Sequence, residues 1–251
     1  MSLSAVPGAA EPRVLYQDPH LLVLFKPAGL ATTSPDGGDC LVERARALDP
    51  GAPHLHALSR LDSLVTGLVP FARTRDANQR ALRAREARKF PRCYLALAAA
   101  GLEPVRGQWV WSIGVDPRDK RHRVALDPSG SGGARRADTR YEVTSRTQDA
   151  LALRLLPGTG RTHQLRVHAS RAGSPLLGDV AYGASRRLVR PDGRVLTARR
   201  VMLHCAACDV PDLGVGRVVR VRCAVPGDMM ELWAGLGGEA VALDAEAIAF
   251  G

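Results

Sequence analysis

What most restricts how this chain can fold is the order of its strand-like runs. Residues 108–113, 139–145 and 151–156 are alternating or β-branched segments that follow one another with no helical spacing between them. Parallel strands in a doubly wound sheet need a helical crossover at each step, so this stretch reads as an antiparallel meander and the chain as α+β. Upstream, "VLYQD" and "HLLVLFK" flank an Asp18-Pro19 turn, and Pro27 and Gly29 of "KPAGL" end the second run. "TGLVPFART" and "CYLALAAA" read as further strands, separated by a helix in "RDANQRALRAREARK" that starts around Asp76, with Pro91 at the joint.

The remaining elements follow the same logic. A short helix spans 41–48 and stops at Pro50-Gly51, and "THQLRVHASRAG" reads as a helix ending at Gly173. "RPDGR" marks a hairpin-like turn, followed by strands near 201–210 and 216–223 and helices near 229–236 and 240–250. The polar, basic, glycine-rich "DPRDKRHRVALDPSGSGGARRAD" is expected to be a mobile loop. No internal repeat and no linker interrupts the pattern, so the expectation is a flexible segment over 1–12 and a single domain over 13–251.

Charge narrows the partner. Lys and Arg number 35 against 25 Asp and Glu, a formal +10, in a chain of 251 residues that is 45% hydrophobic and long enough to bury a sizeable core. Such a balance favours a polyanion over a neutral metabolite. Within 73–92 stand Arg75, Arg80, Arg83, Arg85, Arg88 and Lys89, opposed only by Asp76 and Glu86, whereas no Lys or Arg follows Arg222. The helix around Arg83, Arg85 and Arg88 reads either as a solvated, charge-rich face or, with the 120–136 loop, as a basic surface for the polyanion, and the acidic tail is expected to face away from the ligand. The first dozen residues lack a basic n-region and an apolar h-region, and no apolar run reaches membrane length, so a cytoplasmic protein with no membrane partner is expected. Five scattered cysteines suit a reducing compartment better than a disulfide framework.

Two segments carry possible chemistry. In "LSRLDSLVTGLVPFART" an acid, Asp62, follows a base, Arg60, at the lip of a strand; the pair reads either as a surface ion pair or as a reactive carboxylate held by a cation. In "GTGRTHQLRVHASRAGSPLLGDVAYG" a glycine-rich turn opens a helix crowded with Arg161, His163, Gln164, Arg166 and His168, a start suited to phosphate. Leu165, Val167 and Ala169 alternate with the polar residues, which draws at least one of Gln164, Arg166 and His168 into a cleft. His204, Cys205 and Cys208 of "LHCAACD" have metal-like spacing but no second pair, so small side chains filling a buried strand is the better reading. There, strict alternation would set Val201, Leu203, Cys205 and Ala207 on one face, and His204 with Cys208 on the other. No dinucleotide fingerprint or P-loop is present, and no metal or other cofactor is expected.

Taken in order and spacing, "FKPAGL", "SRLDSLVTGLVPFART", "CYLALAA", "GRTHQLRVHASRAGSPLLGDVAYG" and "VMLHCAACDV" resemble the RluA-type RNA pseudouridine synthases over most of the chain. The resemblance implies a pseudouridine synthase fold: a mixed, mainly antiparallel central sheet with flanking helices and a basic RNA-binding cleft. It implies a catalytic aspartate at Asp62, an active-site tyrosine at Tyr94 and, at Arg166, the arginine that pairs with the aspartate. Arg60, Arg161, His163, Gln164, Arg83, Arg85 and Arg88 would then be RNA-binding residues. The implied reaction breaks a uridine's glycosidic bond, rotates the base and joins its C5 to the ribose C1′. Asp62 would attack sugar or base, or remove a ribose proton, and those alternatives stay open.

The implied partner is a stem-loop of ribosomal or transfer RNA with one uridine flipped out, bound by a monomer. An aromatic content of 4% is too low for a long stacking platform. The chain departs from the family at Ser59, where a histidine is usual, and at Val65-Thr66-Gly67, and it starts too near "KPAGL" for the small S4-type domain of many relatives. The competing readings are an inactive RNA-binding or RNA-chaperone protein that keeps the fold, and a metal-dependent nuclease or hydrolase built on His204, Cys205 and Cys208 with Asp209.

Overall fold

The structure, a computed structural model, describes residues 11–127 and 133–250. The chain divides into two compact units, Met1–Lys89 with Val210–Val221, and Phe90–Asp209 with Arg222–Gly251. The expected flexible segment lies almost wholly outside the described residues.

In the first unit β1 (Arg13–Gln17), β2 (Leu21–Lys26) and β4 (Thr66–Ala72) run side by side, with the two-residue β3 (His56–Ala57) also on β4, and each of these pairs is antiparallel. The turn between β1 and β2 forms because the Asp18 carboxylate accepts the His20 and Leu21 N–H groups at 2.7 and 2.8 Å. Helix α1 is Leu41–Leu48, and α2 is Arg75–Glu86. The cap of α2 is Thr74, whose hydroxyl accepts from Ala77 N–H at 3.1 Å, so the helix starts one residue earlier than its acidic first turn suggested. It ends with Arg88 at φ 56°, a left-handed position usually given to glycine, and Lys89 N–H closes onto Ala84 C=O at 2.7 Å.

The second unit is built on a sheet of β13 (Leu203–Val210), β5 (Arg92–Ala99), β10 (Ala150–Pro157), β9 (Thr139–Arg146) and β6 (Arg106–Trp109), in that spatial order. Every one of these pairs is antiparallel, in keeping with the meander expected from the runs at 139–145 and 151–156. Helix α4 (Gly227–Gly235) covers one face, where Met229, Leu232 and Trp233 meet Cys93, Leu95, Leu97, Ala150, Ala152, Ala206 and Ala207. Each of these large side chains contributes about 2 kcal/mol by leaving water, so the α4 face is the main adhesive of this unit. Strand period 2 puts Tyr94 on the opposite face of β5, opposed by Cys205 and Leu155. Helix α3 (Gln164–Arg171) follows β10; a further strand, β14 (Val219–Arg222), lies where the chain returns from the first unit to the second.

Three expectations need correction. The basic insertion is not simply a loop, because 112–126 folds into a hairpin of β7 (Ser112–Val115) and β8 (Arg123–Leu126), with a further bridge from Ile113 to Arg135; residues 128–132 are outside the described residues. The expected helix over 240–250 is a single 3-10 turn, Ala240–Leu243. Lastly, a register shift between Cys205 and Ala207 breaks the alternation of β13. Cys205 and Cys208 therefore share the Tyr94 side of the sheet, while His204, opposite Leu95, points to the α4 side. The "RPDGR" turn does join a hairpin, β11 (Arg187–Val189) with β12 (Val195–Thr197).

His204 is completely buried and its Nε2–H donates to Cys223 C=O at 3.0 Å. Burial pushes its pKa down to about 4, and pushes the Cys93 thiol up to about 12 and the Cys208 thiol well up, so these groups stay a neutral imidazole and protonated thiols. A histidine kept neutral in the fold but free to protonate when unfolded makes the unfolded state the better proton acceptor. Stability should therefore be flat above pH ~6.5 and fall by ~3 kcal/mol on going to pH ~4. Urea denaturation across that range should show the decline, and it should flatten in His204→Gln.

Candidate active site

In the first unit the segment carrying Asp62 is bolted at several backbone atoms. The Thr32 hydroxyl accepts Leu61 N–H at 3.0 Å and donates to Leu61 C=O at 2.8 Å. Lys26, the lysine of "FKPAGL", is fully buried and its ammonium donates to the carbonyls of Pro27, Leu30 and Ser63 at 2.9, 2.7 and 3.0 Å. Ser63 C=O also accepts Gly29 N–H at 2.8 Å, and Val65 N–H closes the turn onto Asp62 C=O at 3.0 Å. Leu61 and Val65 point inward, Asp62 is half-buried and Arg60 is exposed. A carboxylate on a turn pinned at Leu61, Ser63 and Val65 has little freedom to wander, which is what a group that must meet a reacting atom requires.

Arg83 and Arg85 on α2 and Arg88 just past it are exposed, and Arg85 Nη1 also donates to Leu58 C=O at 3.2 Å and so holds the approach to the Asp62 turn. Arg80 pairs with Asp76 at 2.7 Å.

In the second unit α3 is the organising element. Every residue from Gln164 to Ala169 is buried, so polar side chains on this helix require partners inside the protein. Gln164 accepts from Thr159 Oγ1 at 2.7 Å and Arg161 N–H at 3.0 Å, and donates to Asp138 C=O at 2.7 Å and Thr139 Oγ1 at 3.0 Å. These four bonds join the glycine-rich turn to the start of β9. The relay continues from Thr139 Oγ1 to His168 Nδ1 at 3.0 Å, and His168 Nε2–H donates to Trp111 C=O at 3.0 Å. Burial holds the His168 pKa below the usual imidazole range, which suits a ring that both accepts and donates. At the far end Gly173 (φ 78°) and Ser174 return N–H groups to Ser170 and Ala169 C=O, both at 3.0 Å, closing the helix as its sequence anticipated.

Arg166 is gripped by an acid that the sequence reading had not named. Its Nε and Nη2 donate to Asp179 Oδ2 and Oδ1 at 2.7 and 2.8 Å, with the two side chains only 9% and 1% exposed. The Asp179 fork uses two nitrogens and leaves Nη1 outside it. The guanidinium also lies over the Tyr182 ring, 4.8 Å from its centroid. Asp179 and Tyr182 are the acid and tyrosine of "GDVAYG", so the trailing motif closes back on the helix. Gly178, at φ 79°, permits this approach because a Cβ there would stand 2.0 Å from Arg200 C=O. Gly158 has a similar reason, since a Cβ would meet the Asp138 carboxylate at 1.9 Å.

The remaining expected RNA contacts lie at the start of α3. His163, at φ 56°, precedes the helix and shares a 2.7 Å hydrogen bond between Nδ1 and Tyr182 Oη. Arg161 is half-buried and donates through Nε to Arg136 C=O at 3.1 Å. Tyr94 is 6% exposed on β5. Among the described residues no group of three or more His, Cys, Asp or Glu is placed to hold a metal ion.

These motifs recur in known proteins. The model of the RNA pseudouridylate synthase family matches residues 20–171, well over half the chain. This chain belongs to that family, and it is an isomerase that converts uridine to pseudouridine in RNA. It is 32% identical over 244 residues to "Ribosomal large subunit pseudouridine synthase D" of Xanthomonas campestris pv. campestris, covering 92% of this chain and 71% of that protein. To "Ribosomal large subunit pseudouridine synthase C" of Escherichia coli K12 it is 34% identical over 224 residues, covering 83% and 65%. Among solved structures, human RNA Pseudouridylate Synthase Domain Containing 1 aligns with TM-score 0.69 at 25% identity, over 90% of this chain and 87% of that one. Human RNA Pseudouridylate Synthase Domain Containing 4 shares the fold at the same TM-score and 23% identity, over 89% and 92%.

The pinning of the Asp62 turn can be tested directly. Lys26→Met keeps the length of the side chain and removes every donor, so the Pro27 and Leu30 carbonyls lose the ammonium and Ser63 C=O is left with Gly29 N–H alone. It should lower unfolding stability by about 3 kcal/mol, read by denaturant titration.

Proposed function

We propose that this enzyme isomerises a uridine in ribosomal RNA of the large subunit, with Asp62 as its catalytic aspartate and Tyr94 and Arg166 as the active-site tyrosine and arginine. The observation that carries the proposal is the pinned turn: a half-buried carboxylate in the family's Arg-Leu-Asp triplet, its backbone held by Thr32, Gly29 and Lys26. The names of the relatives, aligned over most of this chain, support the substrate class. Arg166 is suited to its part because a guanidinium cannot give up its proton and Asp179 fixes its plane. Tyr94 offers a flat ring and a hydroxyl from a buried strand, suited to stacking on a uracil and handling a proton.

The substrate reaches such a carboxylate only if the uridine leaves its stack, so we place a flipped base in a stem-loop at the reaction centre. Arg60, Arg83 and Arg88, together with the hairpin that carries Arg118, Lys120, Arg121 and Arg123, supply cations for the phosphates. His163 and Arg161, in the same unit as that hairpin, are further candidate RNA contacts. The enzyme acts as a cytoplasmic monomer and needs no cofactor, since the isomerisation involves no net redox change.

Asp62→Asn should abolish pseudouridine formation while leaving RNA affinity unchanged or slightly raised, because one negative charge leaves a basic neighbourhood. Mapping pseudouridine in total RNA with and without the gene identifies the target, and the variant should match the deletion. Turnover of the variant near the parent rate would remove Asp62 from the chemistry, whereas a map unaltered by deletion would favour an RNA-binding protein that keeps the fold.

Arg166→Ala should lose more activity than Arg166→Lys, since lysine keeps the charge but cannot span both Asp179 oxygens. The alanine variant should lose over a hundredfold, on the order of 3–5 kcal/mol for unpairing a buried charge, measured as kcat on the mapped RNA.

RNA binding should weaken steeply with salt. Arg83→Gln with Arg88→Gln should flatten the slope of log affinity against log salt by about 1.4, at ~0.7 per single-strand phosphate contact. An unchanged slope would make α2 a solvated face and nothing more.

A further inference from the structure

The hairpin of β7 and β8 is small. Its strands have four residues each, and a two-stranded ribbon of that size does not hold its place in water alone. Its position is therefore set by what it touches. At its root Trp111 C=O is tied to His168, and Ile113 packs with Ala137 and Val167. Further along, Arg123 N–H, a backbone donor of β8, reaches across to Tyr182 Oη at 3.0 Å, and the His122 ring meets the Tyr182 ring edge-on at 5.9 Å between centroids.

The same tyrosine touches the other elements of this region. Its ring supports the Arg166 guanidinium, its hydroxyl is 2.7 Å from His163 Nδ1, and its backbone C=O accepts from Ser170 Oγ at 2.8 Å. It ends the 3-10 turn Val180–Tyr182, which starts directly after Asp179, the acid that grips Arg166. Ala184 N–H returns to Asp179 C=O at 3.1 Å and closes the segment. One short, closed turn thus carries both partners of Arg166 and a dock for the basic hairpin. The family match ends at residue 171 and does not include this turn.

We propose that Tyr182 is a positioning residue that couples the seating of RNA on the β7–β8 hairpin to the orientation of Arg166. Its two ends divide the work. The hydroxyl fixes the hairpin and the His163 end of α3, and the ring face fixes the guanidinium. This rests on the reading above that Arg166 acts in the reaction and that the hairpin grips RNA.

Two substitutions separate the ends. Tyr182→Phe keeps the ring and removes both hydroxyl contacts; Tyr182→Leu removes both functions. Kinetics are measured on total RNA from a strain lacking the gene, with thermal denaturation of each variant alongside. Tyr182→Phe should raise KM about tenfold, the worth of a lost hydrogen bond or two, with kcat within about twofold of the parent. Tyr182→Leu should raise KM similarly and also lower kcat at least about tenfold, and an added ring at the same place, as in Tyr182→Phe, is the rescue of that kcat loss.

A Tyr182→Phe enzyme with the parent's KM, or the same kcat loss in both variants, overturns the proposal. So does a loss of thermal stability with KM and kcat of the folded fraction unchanged, which would make Tyr182 a packing residue only. Arg166→Lys and the pair Lys120→Gln, Arg121→Gln are measured in the same series. If Arg166→Lys keeps full kcat, or the hairpin pair leaves KM unmoved, the reading of the site itself fails. If those variants lose activity as expected while the Tyr182 variants do not, only the coupling fails.

Discussion

A guanidinium taken out of water must be neutralised where it lies, and the second unit is arranged around that requirement at Arg166. The cost of leaving such a group unpaired is several kcal/mol, so the chain must bring a carboxylate to it in a geometry that uses the fork. Asp179 does so with both oxygens, from a position that is itself 1% exposed. Bringing Asp179 there demands a tight turn, and the turn demands glycine at 178, where any Cβ would strike the Arg200 carbonyl. The same turn then delivers Tyr182 beneath the guanidinium. A buried pair of this kind is a poor source of stability because desolvation offsets its attraction, but it sets one orientation for the arginine, and orientation is what catalysis can use.

The first unit solves a similar problem with a lysine. The Lys26 ammonium sits among three carbonyls contributed by the "KPAGL" turn and by Ser63, beside the carboxylate-bearing residue in sequence. Carbonyl oxygens that cannot reach a strand partner are satisfied by a single cation, and the chain on either side of Asp62 is held by backbone atoms that do not depend on side-chain identity at 62 or 60. This explains how Ser59 and Val65 can differ from the family's habit without undoing the turn. Ser59 is buried and its hydroxyl has no hydrogen-bond partner among the described residues, and Val65 fills an apolar position. Neither supplies a bond that fixes the Asp62 backbone through its side chain.

Charge and polarity are distributed by the same rule of burial. The polar residues of α3 that looked from the sequence like ligand contacts are mostly inside: Gln164 and His168 form one relay through Thr139 to the Trp111 carbonyl, tying the helix to β9 and to the hairpin root. Exposed cations lie elsewhere, on α2 and on the hairpin. A salt-sensitive surface and an oriented interior arginine are thus different residues, although both arise from the same basic composition.

Much of this was legible in the sequence. The antiparallel succession of strands, the α+β class, the end of α3 at Gly173 and most element positions followed from local spacing and turn residues, because hydrogen bonding within a hairpin or a helix end depends on neighbours a few residues apart. The motif blocks, read as a resemblance, pointed to the family. The hairpin within the basic insertion escaped because a short polar strand has little apolar alternation to reveal it. The shift in β13 escaped because one extra residue reverses the side of everything after it, so that Cys208 joins Cys205 and parts from His204. The sequence alone determined which side chains with chemical capacity the chain possesses and which local elements carry them. Only the tertiary structure decided who answers whom: Arg166 with Asp179 and Tyr182, Lys26 with Ser63, His168 with Trp111. Those partners lie 13, 16, 37 and 57 positions apart along the chain, and separations of that size are settled by where a buried polar group can find its complement, not by local spacing.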